Sequence, residues 1–132
     1  MARGKSTGRQ KPTEAELDIL SVLWERGPST VRQVQEELTD KRKTGYTTVL
    51  KLMQIMADKG LVRRDESGHA HVYRAAITRQ RTQKQAVGQM LEQLFDGSAQ
   101  QLVMQALSAK KSTTEELAEI RQLLDELEEG MK

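Results

Sequence analysis

The chain has no cysteine among its 132 residues. This removes disulfides, thiolate metal sites and cysteine nucleophiles together, and it fits a reducing compartment. Aromatic residues are scarce too, with one Trp, one Phe and two Tyr, so a core must rest on Leu, Val, Ile and Met. No apolar run approaches the roughly 20 residues that span a bilayer. The first twelve residues lack the apolar stretch of a signal peptide. The expectation is a soluble protein of the cytoplasm without stable membrane association.

Chemistry-bearing groups are equally thin. His69 and His71 are the only histidines, and no cysteine or nearby carboxylate cluster completes a tetrahedral metal set around them. The chain has no glycine-rich phosphate loop, no nucleophile elbow and no histidine paired with a serine. Glu115-Glu116 and Glu128-Glu129 read as solubilising charge on helix surfaces. No enzymatic activity, metal or cofactor is expected.

What the chain does have is charge segregation. Residues 1–81 hold 16 Lys/Arg against 10 Asp/Glu, a balance of +6, whereas residues 82–132 hold 5 against 9, a balance of −4. A basic head and an acidic tail suit a polyanion-binding module joined to one that avoids the polyanion. Residues 1–12, with Arg3, Lys5, Arg9 and Lys11 and no acid, read as a flexible basic arm.

Local patterns then place the elements. Thr13 and Glu16 form a capping box opening a first helix, whose stripe is Leu17, Leu20, Leu23 and Trp24 and which Gly27-Pro28 ends. Thr30 and Gln33 repeat the box before a second helix with Val31, Val34 and Leu38 on one face. The third helix runs from Tyr46 to Lys59, with Gly60 as its left-handed terminator. Val49, Leu52, Met53 and Met56 face inward at i, i+3, i+4, i+7, which sends Tyr46, Thr47, Leu50, Lys51 and Gln54 outward. Leu61–Asp65 and Ala70–Arg74 read as a hairpin turning through Glu66–His69.

From Thr78 onward the pattern is helical. Val87, Met90, Leu91, Leu94 and Phe95 line a fourth helix, and Ala99, Leu102, Val103, Ala106 and Leu107 a fifth. In the sixth, Leu117, Ile120, Leu124, Leu127 and Met131 keep heptad spacing. Three amphipathic helices in about 50 residues cannot hide every apolar face within one chain, so a homodimer is expected. Val87, Leu91, Leu94, Leu102, Val103, Leu117, Ile120, Leu124 and Leu127 are its candidate contacts.

A helix that stops at a glycine and runs into an arginine-bearing ribbon is how a winged helix-turn-helix meets DNA. The N-terminal end of a helix in the major groove reaches base edges. Tyr46, Thr47 and Lys51 stand at that end, with Thr48 at the boundary and Leu50 suited to a thymine methyl. Arg63, Arg64, Arg74, His69 and His71 on the hairpin suit backbone or minor-groove contacts. Two alternatives stay open: a winged-helix module docking a protein through Leu50 and Ile55, and a nonspecific nucleoid-type DNA binder driven by the basic arm.

Several strings resemble the BlaI/MecI penicillinase-repressor family: EAELDILSVLWERGPSTVRQVQEEL, GYTTVLKLMQIMADKGLVRR, HVYRAAITR, LFDGSAQQLVMQAL and EELAEIRQLLDEL, in one continuous order. The resemblance implies a dimeric winged-helix repressor of palindromic operators, often with TACA/TGTA-type half-sites. It places Tyr46, Thr47, Thr48 and Lys51 at the DNA-reading end of the third helix, Lys43 and Thr44 on its approach, and Arg64–Arg74 in the wing. It also implies a membrane-bound sensor metalloprotease acting upstream through cleavage of an Asn-Phe bond in the fifth helix. Here Gln105-Ala106 stand at that position, a departure that puts the same cleavage in doubt. The cysteine cluster of copper-responsive relatives is absent as well.

The expectation is a mainly α protein with a small β wing. Residues 1–12 form the arm, 13–77 a winged helix-turn-helix domain and 78–132 a three-helix dimerisation region. Its function would be repression at operator DNA, with the nucleoid as its location and antibiotic resistance as one setting.

Overall fold

A computed structural model describes residues 11–39 and 43–131. Its elements are α1 (Glu14–Arg26), β1 (Ser29–Thr30), α2 (Val31–Thr39), α3 (Tyr46–Lys59), β2 (Val62–Asp65), β3 (Val72–Ala75), α4 (Arg79–Gln93), α5 (Ala99–Ala109) and α6 (Thr114–Gly130). The basic arm, apart from Lys11 and Pro12, lies outside the described residues, as does the stretch 40–42 of the loop before α3. The chain forms two compact units that divide after Ala86.

Capping sets the helix starts. The Thr13 hydroxyl accepts from the Glu16 N–H, and the Glu16 carboxylate accepts from the Thr13 N–H. Thr30 and Gln33 make the same reciprocal pair ahead of α2, and Thr113 and Glu116 ahead of α6. Each box satisfies donors that a helix terminus would otherwise leave unpaired. Gly60 ends α3 at φ 83°, ψ 12°, a left-handed conformation that costs a side-chain-bearing residue. The turn there lets the Leu61 N–H donate back to the Met56 carbonyl at 2.9 Å.

The first unit holds the core. Ile19, Leu20, Val34, Val49, Met53 and Met56 are fully buried, joined by Leu23, Leu38, Leu61, Val62 and Tyr73. Leu17 departs from expectation: it is exposed, while Ile19 and Val22 turn inward. The reason is that α1 packs against α2, α3 and β3, so its buried arc is broader than a single i, i+3 stripe. Leu50 is another correction. It is half-buried against the core instead of standing free on the outer face of α3.

Strand pairing also shifts. β1 is a two-residue strand that no periodicity announces, and it joins the sheet in the order β1-β3-β2. In the hairpin Val62 faces Ala75, Arg63 faces Arg74, Arg64 faces Tyr73 and Asp65 faces Val72. The second strand therefore begins at Val72 and not Ala70, and His69 and His71 sit in the connecting turn, off any strand face. Beyond the sheet, the Trp24 indole N–H donates to the Ile77 carbonyl at 2.9 Å. Arg79 lies over the same ring, 5.5 Å from its centroid, and pairs with Glu25.

The second unit comprises the rest of α4, then α5 and α6. Ser98 caps α5 by accepting from the Gln101 N–H. No described residue from Val87 onward is buried. The apolar residues stand out instead: Leu94 is 73% exposed, Met104 60%, and Leu124 54%.

Candidate nucleic-acid interface

Helix α3 owes its position to three side chains. Val49, Met53 and Met56 are at 0% exposure and lock one flank into the core. Helical geometry then obliges the opposite flank to face out, and Thr47, Thr48, Lys51 and Gln54 are all exposed. Tyr46, the first helical residue, is 41% exposed. Lys43 is exposed and Thr44 half-buried on the approach, where the Gln35 amide donates to the Thr44 carbonyl. Gly45 is the N-cap and supplies no side-chain bond. The N–H groups of this first turn are thus open to an anion such as a phosphate oxygen.

The hairpin supplies further cations. Arg63, Arg64, Arg74, His69 and His71 are all exposed. Arg63 and Arg74 are direct cross-strand partners, so their side chains share one face of the ribbon. Arg64 faces Tyr73 across the ladder. The neighbouring Tyr73 hydroxyl raises the guanidinium pKa above its ordinary value, and Glu66 adds to the effect. That hydroxyl is buried and makes no hydrogen bond among the described residues. Arg64 also forms an ion pair through its Nε with Glu66 at 2.5 Å, so part of its charge is offset by a carboxylate before any phosphate contact.

Asp65 organises the tip. Its carboxylate accepts from the Ser67 N–H at 2.9 Å and from the Ser67 hydroxyl at 2.7 Å. Those two bonds, with Arg74 nearby, hold its pKa below the ordinary aspartate value. A depressed folded-state pKa means that the contribution to stability is complete above the unfolded value and is lost as pH falls through the folded one. The Ser67 amide resonance should accordingly titrate with a midpoint on the acid side of an unperturbed aspartate. The change should vanish in Asp65→Asn. A midpoint at or above the ordinary value would contradict this account of the turn.

The tertiary structure brings α3 and the turn of the hairpin together. A groove of about 480 Å³ is lined by Thr30, Val31, Arg32, Tyr46, Leu50, His69, Ala70, His71 and Tyr73. One residue in it escaped the sequence reading. Arg32, near the start of α2, lies over the Tyr46 ring at 5.1 Å from its centroid. Periodicity assigns α2 only an apolar face, so nothing local marked this arginine. Its partner Tyr46 is fourteen residues away.

Among the candidate dimer contacts, Val87, Leu94, Val103, Leu124 and Leu127 are exposed, and Leu91, Leu102, Leu117 and Ile120 are half-buried. Met104 and Leu123, absent from the heptad reading, are exposed as well. Gln105 and Ala106 are exposed positions inside α5. Among the described residues there is no group of three or more His, Cys, Asp or Glu that could hold a metal ion, and no helix is long and apolar enough to cross a membrane.

The chain is similar to several known proteins. The family described as penicillinase repressor matches residues 12–126. The transcriptional regulator BlaI of Mycobacterium tuberculosis is 31% identical over 118 residues, covering 89% of this chain and 85% of its own. A penicillinase repressor of Bacillus licheniformis is 22% identical over 114 residues, covering 86% and 89%. The solution structure of the DNA binding domain of the repressor BlaI covers 61% of this chain and 93% of that one, at 20% identity and a TM-score of 0.48. With a family match reaching from Pro12 to Glu126, this chain belongs to the penicillinase-repressor family of transcriptional regulators.

Proposed function

We propose that the protein represses transcription as a homodimer on palindromic operator DNA. In this reading α3 enters a major groove, the β2–β3 hairpin lies alongside as a wing, and α4 to α6 pair with the second copy. Residues 13–77 form the DNA-binding part and residues 78–132 the dimerisation part, with the nucleoid as the place of action. One observation carries the reading: α3 is anchored from behind by Val49, Met53 and Met56, while Tyr46, Thr47 and Lys51 stand in solvent beside an arginine-bearing hairpin.

Two-fold symmetry requires half-sites spaced by about 10–10.5 bp or a multiple. Lys51 can reach a base edge or phosphate, and Thr47 and Tyr46 can hydrogen-bond either. Half-burial of Leu50 argues against α3 as a protein-docking helix, because it removes one of the two apolar side chains that docking would use. Relief by the family's sensor metalloprotease would need a different cut, since Gln105 and Ala106 replace the Asn-Phe bond and lie within α5.

Binding measured across a salt series tests the proposal. Lys51→Ala and Arg64→Ala should each weaken operator binding and, for a dimer, lower the slope of log K against log salt by roughly two units. The smaller loss of affinity should come from Arg64, whose charge Glu66 already partly offsets. Unchanged affinity and slope in both variants would remove α3 and the wing from the interface. Equal binding to palindromic and scrambled duplexes would favour a nonspecific binder.

A further inference from the structure

We propose that Arg32 is a DNA-contacting residue, lying over the Tyr46 ring and presenting guanidinium N–H groups to a phosphate in the groove between α3 and the hairpin turn. The inference rests on the DNA-binding reading above and adds to it a third element, the start of α2. Three observations support it. The Arg32 guanidinium lies 5.1 Å from the Tyr46 ring centroid. It has no carboxylate partner among the described residues, unlike Arg26, Arg64 and Arg79, which pair with Glu37, Glu66 and Glu25. The groove that Arg32 lines with Tyr46, His69 and His71 has no acidic residue along its described walls.

The geometry explains why an arginine suits this place. Stacking on an aromatic ring uses the face of the guanidinium, and its N–H donors lie in the plane, free for a bidentate phosphate contact. Lysine supplies the charge without that fork. The backbone under Arg32 is fixed on both sides. Thr30 and Gln33 close the capping box around it, and Val31 and Val34 are buried. A cation held in this way needs little further ordering when DNA arrives. The occupant of the groove is one strand's sugar-phosphate backbone, continuous with the strand whose bases face Thr47 and Lys51.

The test is a binding titration across salt on a duplex carrying a TACA/TGTA palindrome and on a scrambled duplex of the same length. Arg32→Ala should weaken binding about tenfold or more and lower the salt slope by about two units per dimer. Both duplexes should respond, because a phosphate contact carries no sequence information. Arg32→Lys should restore the slope but only part of the affinity. The losses in Arg32→Ala and Tyr46→Leu should overlap, the double variant binding within about twofold of the weaker single one. An unchanged slope in Arg32→Ala, with Lys51→Ala still lowering it, would overturn the Arg32 contact and leave the DNA-binding reading standing. Salt-insensitive or absent binding by the wild-type protein would overturn both.

Discussion

Replacing Leu124 with aspartate should convert the protein to monomers and weaken operator binding by about 10²-fold or more. The expectation follows from the second unit having no buried residue among those described from Val87 onward. Leu117, Ile120, Leu124 and Leu127 run down one side of α6 with Met131 as its C-cap, and exposure rises from half-burial at the first two to 54%, 57% and 84% at the last three. Apolar surface on this scale in a small helical unit calls for a covering partner. A second copy presenting the same stripe is the simplest one. A carboxylate in the middle of that seam would lose its hydration without gaining a counter-charge, at a cost of several kcal/mol. Each freed monomer would then hold one half-site without the effective concentration that the other half-site provides. Sedimentation should report the mass of one chain in place of two. An unaltered dimer mass would show that α6 does not form the seam.

Replacing Lys59 with methionine should destabilise the first unit by about 3 kcal/mol, whereas Glu16→Gln should cost only about 1 kcal/mol. Both residues belong to one ion pair, with the Lys59 ammonium 2.9 Å from each Glu16 oxygen. The asymmetry comes from burial: the Glu16 side chain is 3% exposed and that of Lys59 is 24%. Without Lys59 the carboxylate stays in the interior, satisfied among the described residues only by the Thr13 N–H. Without the carboxylate, Lys59 can turn its ammonium to water. A glutamine at position 16 can also keep the capping box, as Gln33 already does with Thr30. Urea unfolding of the three proteins measures the difference. Equal losses, or a larger one for Glu16→Gln, would mean that the pair is effectively solvated.

The same pair shows where reading residues in order stops. The capping pattern correctly placed Glu16 at the third position of α1, because a box is a contact three residues long. Its second role, bracing the end of α3 from 43 residues away, has no local signature. The hairpin is a milder case. Alternation and glycine located it, but the second strand begins at Val72 and not Ala70, so His71 joins His69 in the turn that Asp65 and Ser67 help to fold. Leu17 departs from its expected stripe because i, i+3 counting assumes a single neighbour, and α1 packs against several elements.

The chain's own order of residues determined the helices and their ends, the outward flank of α3, the arginine ribbon and the unpartnered stripe of α6. All of these follow from periods and caps spanning a few residues, where backbone geometry alone sets which side chains share a face. Only the tertiary structure decided that Ser29–Thr30 joins the sheet, that Glu16 meets Lys59, and that Arg32 lies over Tyr46. Those contacts join segments 14 to 44 residues apart. They exist because packing the core brings the ends of separate helices and strands within reach of one another.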